Sequence, residues 1–181
     1  MNTFFNPYTN ATLQTRSFDS IEEINIKLKV SGQAYKPWKN TPFLHKKEHF
    51  EYFLEILTEQ KDALAREITM EMGKPITESL AEIEKCIGLT TWYLKEAADL
   101  LKSRFTNHSE TTIESSVHYE SIGCILGIMP WNFPYWQVFR FAIPTLLIGN
   151  TVLLKHAPNV QGCATNLSKL FHLAGFPEGV F

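Results

Sequence analysis

The chain has 181 residues, of which 44% are hydrophobic, and its 17 basic and 19 acidic side chains give a formal net charge of −2. This length is sufficient for one domain with a buried core. The slightly acidic balance argues against a nucleic-acid-binding protein, because phosphate contacts require a basic face.

The first hundred residues are predicted to be helical. Ser20 and Glu23 form a capping-box pattern, in which each side chain binds the backbone N–H of the other residue at the start of a helix. Thr41 followed by Pro42 predicts a second helix start, with a capping hydroxyl and a proline at the first helical position. Phenylalanine and leucine side chains then recur at helical spacing, which predicts an amphipathic helix.

Two further signals divide this helical part. Gly73 and Pro75 predict the end of a helix. This helix is either the amphipathic helix that starts after Pro42 or a separate helix from about Lys61. Another helix is expected from about Thr77, and its apolar stripe extends to Leu101.

The sequence changes character after residue 110. Residues 111–120 are β-branched and polar, and predict a half-exposed strand. The apolar runs 122–129 and 151–154 predict two strands, the first buried on both faces, and each is followed by a helix, at 135–148 and 160–174. The alternation of strand and helix predicts the α/β class: a helical amino-terminal part that leads into an incomplete doubly wound, Rossmann-like parallel sheet.

The run Pro130-Trp131-Asn132-Phe133-Pro134 follows the first apolar strand and precedes a helix. The carboxyl end of a strand is where ligands bind in an open α/β sheet. A side-chain amide there can donate a hydrogen bond to an oxygen on which negative charge develops during a reaction. By residue type alone, capping of the following helix is the better interpretation of Asn132.

The same run, together with Gly149 to Lys155 twenty residues further on, resembles the aldehyde dehydrogenase superfamily. The sequence around it is most similar to the bacterial NAD(P)-dependent succinate-semialdehyde dehydrogenases. The resemblance covers nearly the whole chain and is clearest from Gly123 onwards. It implies three parts: the helical part of the cofactor-binding domain at 1–110, an oligomerisation strand at 111–121, and a truncated α/β part of that domain at 122–181.

The resemblance also implies a role for particular residues. Asn132 corresponds to the asparagine that stabilises the oxyanion, together with the backbone N–H of a catalytic cysteine. Lys155 corresponds to the lysine that binds the adenosine ribose of NAD or NADP. Four residues correspond to positions that line the cofactor cleft mainly through backbone atoms: Ile128, Met129, Pro130 and Trp131.

Two further positions concern specificity. Pro158 stands where NAD-preferring members often carry a glutamate, and a carboxylate there would repel a 2′-phosphate, so tolerance of NADP is predicted. Arg140 corresponds to the arginine that binds the distal carboxylate of succinate semialdehyde, in the fork geometry that suits a carboxylate. The alternative for Arg140 is an ordinary ion pair at the surface or at the edge of the core.

In the family, the nucleophilic cysteine and the general-base glutamate belong to stretches beyond the position of Phe181. The resemblance therefore implies the amino-terminal part of an enzyme that oxidises a small aldehyde and forms homo-oligomers when full length. The alternative is an inactive product of a truncated or split gene, which acts at most by binding a partner.

Other apparent motifs favour structural interpretations. His45 to His49 fits the H-x-x-E-H pattern of some zinc proteases, but a solvated helix face is the preferred interpretation, and no metal site is predicted. Three cysteines at wide spacing predict no disulfide framework, and neither Cys124 nor Cys163 matches the catalytic cysteine. The start of the chain lacks a signal-peptide pattern, and residues 141–154 are too few to span a bilayer, so a cytoplasmic protein without a membrane partner is expected.

Overall fold

A computed structural model describes residues 2–107 and 114–181. The strands are β1 Asn2–Phe5, β2 Thr12–Arg16, β3 Arg104–Asn107, β4 Glu114–Val117, β5 Cys124–Ile128 and β6 Thr151–Lys155. The helices are α1 Ile21–Asn40, α2 Phe43–Glu59, α3 Lys61–Met72, α4 Ile76–Leu100, α5 Trp136–Leu147 and α6 Gln161–Leu173, and a short 3₁₀ helix at Pro158–Val160 precedes α6.

The predicted α/β unit is confirmed. Strands β5 and β6 pair in parallel, with Ile128 opposite Lys155, and α5 connects them. On the other edge of β6, the Val152 N–H donates to the Val180 carbonyl over 2.8 Å. The preceding N–H, that of Thr151, donates to the Gly123 carbonyl just before β5, so successive N–H groups of β6 point to opposite sides, as in the interior of a parallel sheet.

The helix signals in the amino-terminal part are confirmed with one exception. Ser20 and Glu23 form the capping box at the start of α1, and Gly73 ends α3 in the left-handed conformation with φ of 75°. The capping role predicted for Thr41 is wrong. Its hydroxyl donates to the Pro37 carbonyl at the end of α1, and α2 begins at Phe43 without a side-chain cap.

The prediction that the first hundred residues are helical is wrong at the start of that range. Strands β1 and β2 form an antiparallel hairpin, because the Asn6 side chain accepts from the Tyr8 and Thr9 amides and Asn10 takes a positive φ of 58°. Strand β3 pairs antiparallel with β4. Of the predicted strand at 111–120, residues 111–113 lie outside the described residues, and β4 occupies 114–117.

Burial of the first apolar strand on both faces is also wrong. Leu126 is 59% exposed and Ile128 is 67% exposed. Within residues 2–107 and 114–181, no layer covers the face of β5 that carries Leu126 and Ile128. This apolar face is therefore exposed in this part of the chain.

The core joins the amino-terminal helices to the α/β unit. The Phe53 ring of α2 stacks on the Phe171 ring of α6 at 4.5 Å, and the Phe50 ring meets the Phe176 ring edge-on at 4.8 Å. Both sides of the chain therefore pack around the same aromatic cluster, although the proposed division at residues 110 and 121 stays a prediction. Among the described residues, no helix combines the length and the apolar character that a membrane crossing requires.

Candidate active site

The turn at residues 130–134, here called the Asn132 turn, links the carboxyl end of β5 to α5. The Gln137 N–H donates to the Phe133 carbonyl over 3.1 Å, so the helical hydrogen bonds begin just after Asn132. The Asn132 side chain is exposed and forms no hydrogen bond with the residues that the structure describes. Its amide therefore points to no protein partner within this part of the chain.

A glutamate from another helix caps α5. The N–H groups of Tyr135 and Trp136 both donate to Oε1 of Glu82, over 2.9 Å and 3.0 Å, and Glu82 lies on α4. A carboxylate at this end of a helix is also favoured by the helix dipole. The capping interpretation of Asn132 is therefore wrong, and its amide is available to bind a ligand.

Glu82 forms a buried ion pair with Lys74 through its second oxygen. The exposed fractions of the two side chains are 0% and 7%. The Lys74 ammonium also lies 3.9 Å from the centroid of the Phe133 ring, a cation–π contact with the Asn132 turn itself. Sequence reasoning did not assign either charge to the site, and the one hint was a glutamate beside Ile83 within the apolar stripe of α4.

His156 also binds the turn. Its Nε2 lies 2.8 Å from the Pro134 carbonyl, and its Nδ1 accepts from the Ala157 N–H over 2.8 Å. Since Nδ1 is the acceptor, the proton belongs on Nε2, which donates to Pro134. Burial lowers the pKa of His156, against the opposing effect of the bond to Pro134, and the Lys155 charge lowers it further. The neutral tautomer thus suits both contacts.

Lys155 stands at the carboxyl end of β6, where the Met129 N–H donates to its carbonyl over 3.1 Å. Its exposed side chain lines a cleft of about 750 Å³ between the segment after β2, strand β6 and helix α6. Pro158 and Lys169 line the same cleft, but Asn132 and Arg140 do not. The structure therefore joins Lys155 and Pro158 in one cleft and leaves Asn132 and Arg140 outside it.

The four predicted cleft residues next to the turn differ in exposure. Ile128 and Trp131 are 67% and 51% exposed, Pro130 is exposed, and Met129 is half-buried against the core. Ile128 ends β5 opposite Lys155, and Pro130 and Trp131 belong to the Asn132 turn. None of the four lines the cleft that contains Lys155.

Arg140 lies on α5 with an exposed side chain, and its guanidinium is 6.0 Å from the centroid of the Trp136 ring. Within the described part of the chain it forms no ion pair, so the ordinary ion pair considered as the alternative is not observed. The guanidinium keeps its hydrogen-bond donors available for a carboxylate.

The other motifs lie away from the Asn132 turn. Burial raises the pKa of the Cys86 and Cys163 thiols, which disfavours the thiolate form that a nucleophile needs. His49 packs against Trp38 and Phe176 and lies 3.2 Å from the Ala174 carbonyl. Across residues 2–107 and 114–181, no three histidine, cysteine or acidic side chains are placed to share a metal ion.

Comparison with known proteins adds a family match. The model of the aldehyde dehydrogenase family matches residues 2–181. A probable NADP⁺-dependent succinate-semialdehyde dehydrogenase of Synechocystis is 39% identical over 176 residues, which are 97% of this chain and 38% of that protein. The NAD(P)⁺-dependent succinate semialdehyde dehydrogenase Sad of Escherichia coli is 38% identical over 178 residues, again 97% of this chain and 38% of the relative.

The solved structures agree with this fold. The crystal structure of succinic semialdehyde dehydrogenase from Streptococcus pyogenes, in complex with NADP⁺, superposes with a TM-score of 0.93 at 28% identity. The match covers 98% of this chain and 39% of that one. The chain thus spans about 38% of the length of the curated relatives it matches.

Proposed function

The chain belongs to the aldehyde dehydrogenase family, and on that premise we propose that it is the amino-terminal part of an NAD(P)-dependent succinate-semialdehyde dehydrogenase. The observation that carries the proposal is the Asn132 amide, which has no partner among the described residues and lies at the carboxyl end of β5. Because Glu82 caps α5, the amide is not needed for the fold of this helix.

In this proposal Asn132 donates a hydrogen bond to the aldehyde oxygen as negative charge develops there. A donor that is already in place stabilises this charge without reorganisation. Arg140 binds the distal carboxylate of succinate semialdehyde in two-pronged geometry. The cofactor, when bound, accepts the hydride of the aldehyde.

The residues of the cleft fit such a cofactor. Lys155 presents an exposed ammonium at the end of β6, suited to a ribose hydroxyl or a phosphate. Pro158 places no carboxylate beside it, so the 2′-phosphate of NADP meets no repulsion from that position. The relatives named above use NADP⁺ or NAD(P)⁺, which supports a site that accepts either cofactor.

We propose that the isolated chain does not complete the reaction. Cys86 and Cys163 are buried thiols. Cys124 begins β5, and a strand rise of about 3.3 Å per residue puts it about 13 Å from Ile128, which ends β5 two residues before the Asn132 turn. Among the described residues, no cysteine therefore combines an accessible thiol with a position at the carboxyl end of β5. The alternative of an inactive, partner-binding piece remains a hypothesis about the same chain.

The direct test uses a hybrid enzyme in which residues 1–181 replace the matching amino-terminal part of the Synechocystis relative. We expect the hybrid to reduce NADP⁺ with succinate semialdehyde, and the 181-residue chain alone to form no NAD(P)H. Asn132→Ala in the hybrid should lower kcat by about 10²–10³, the cost of removing an oxyanion donor. The reaction is followed by absorbance of NAD(P)H.

Asn40→Ala is the matched control, since Asn40 is an exposed amide at the end of α1, away from the turn. Its turnover should equal that of the unmodified hybrid. A folded hybrid in which Asn132→Ala has the kcat of Asn40→Ala would contradict the proposed role of Asn132.

The role of Arg140 has its own test. Arg140→Leu should raise KM for succinate semialdehyde about 10- to 100-fold, the loss of a charge-assisted hydrogen-bonded pair, and should leave KM for a neutral aldehyde unchanged. Arg66→Leu, at an exposed position of α3, is the control. Equal changes in KM for both aldehydes would show that Arg140 does not select the carboxylate.

A further inference from the structure

The Asn132 turn is held by its neighbours and not by Asn132. The Pro134 carbonyl binds His156, the Tyr135 N–H binds Glu82, and the Phe133 ring covers Lys74. The position of the Asn132 amide therefore depends on where these contacts fix the backbone on its carboxyl side.

Glu82 is itself firmly placed. It lies on α4 beside the fully buried Ile83, and one of its oxygens binds two backbone amides while the other binds Lys74. Burial of both charges is tolerated only when each is paired and hydrogen-bonded, and this requirement restricts the pair to one geometry. The pair thus connects the rigid core of α4 to the first residues of α5.

Lys74 adds a direct contact with the turn. Its ammonium lies between the Glu82 carboxylate and the face of the Phe133 ring, one residue from Asn132. A shift of Glu82 would therefore move both the start of α5 and the ring beside the amide. His156 adds a further contact, since it binds the Pro134 carbonyl from the segment after β6.

From these contacts we infer that Glu82 and Lys74 are positioning residues, which set the location of the Asn132 donor relative to the aldehyde oxygen. The inference rests on the proposed function. Catalysis by a preorganised donor is sensitive to displacement, since misplacement by about 1 Å can lower a rate by about 10². The pair acts through Asn132 and touches no substrate itself.

The test is a double-mutant cycle in the hybrid enzyme, with Glu82→Gln measured both with Asn132 and with Asn132→Ala. The Glu82→Gln side chain keeps an oxygen for the backbone amides but cannot balance the Lys74 charge. We expect Glu82→Gln to lower kcat about tenfold when Asn132 is present and less than about twofold when it is absent, with KM for NADP⁺ unchanged. A role limited to the amount of folded protein would give the same factor in both backgrounds, and that result would overturn the inference.

Glu84→Gln is the matched control, because it is the same substitution at another position of α4. Its partner is Lys61 at 3.1 Å in an exposed pair that does not touch the turn. Should circular dichroism show that Glu82→Gln is unfolded, Lys74→Met with Glu82→Gln replaces it in the cycle, since this combination leaves no unpaired buried charge.

The cycle also distinguishes failure of the proposed function from failure of the positioning role. If Asn132→Ala does not lower kcat, the proposed function fails, and the positioning role fails with it. If Asn132→Ala lowers kcat as expected but the effect of Glu82→Gln is the same in both backgrounds, only the positioning role fails.

Discussion

Helices α5 and α6 begin in the same way, and the comparison shows how the amino-terminal helices complete the α/β unit. Neither has a capping side chain of its own. Glu82 of α4 binds two amides at the start of α5, whereas Glu71 of α3 binds the Gly162 and Cys163 amides at the start of α6, over 2.6 Å and 2.9 Å. The caps of both helices are thus supplied by a distant part of the chain.

The two caps differ in charge. Glu82 is paired with the buried Lys74, but Glu71 accepts from the neutral Gln14 amide and lies close to a second carboxylate, that of Glu67. A Cβ on Gly162 would overlap the Glu67 carboxylate and would lie 2.8 Å from Glu71 Oε1, so a larger residue at this position would require the Glu67 side chain to move. The cap beside the candidate site is balanced in charge, and the cap of α6 carries excess negative charge.

The largest expected effect on stability comes from removing the charge-balanced cap of α5. Glu82→Ala leaves Lys74 buried without a partner and removes the acceptor of two helix amides. The free energy of unfolding should fall by about 3–5 kcal/mol, as when one partner of a buried ion pair is removed. Urea unfolding of the 181-residue variant measures this loss. A loss below about 1 kcal/mol would show that the Glu82 carboxylate is not required to stabilise the buried Lys74.

A smaller effect is expected at the other cap. Glu71→Ala leaves the Gly162 and Cys163 amides without an acceptor. However, no buried cation loses its partner, and the repulsion between Glu71 and Glu67 is removed. The free energy of unfolding should fall by about 1–3 kcal/mol in the same urea experiment. Glu71→Gln, which keeps an acceptor oxygen, should lose less. If Glu71→Ala costs as much as Glu82→Ala, the counter-charge of Lys74 does not explain the difference between the caps.

The two caps also show which contacts can be predicted from the sequence and which cannot. The β5–α5–β6 unit followed from apolar runs bounded by proline and glycine, and the capping box at Ser20 followed from residues three apart, because such signals are local in the chain. The capping bonds of Glu82 and Glu71 span 53 and 91 residues. No rule of propensity or periodicity pairs residues at such distances, so only the folded structure shows these contacts.

The site was predicted unevenly for the same reason. Asn132 and Lys155 were proposed from motifs on two consecutive strand ends, and the structure places both there. The capping interpretation of Asn132 failed because the rule counts only nearby side chains and a distant glutamate had taken the position. The β1–β2 hairpin was missed because its strands are short and mostly polar, so they carry no apolar alternation.

The smallest effect tests the excess negative charge at the α6 cap through its dependence on pH. Burial raises the pKa of Glu67 above its ordinary value of 4.5, and the Glu71 charge raises it further, while Lys169 opposes the shift. A carboxyl group whose pKa is raised by folding stabilises the fold below its unfolded pKa, and this contribution is lost as pH rises through the folded pKa.

Glu67→Gln should therefore match the original chain in stability below pH 4.5 and exceed it at pH 7. Because Glu67 is only half-buried, the gain at pH 7 should be less than about 1 kcal/mol. Urea unfolding at both pH values measures it. The gain should shrink in a Glu71→Ala background, since the neighbouring charge is then absent. A gain of the same size in both backgrounds would mean that burial alone acts on Glu67, and the two acids at the start of α6 would then not form a coupled pair.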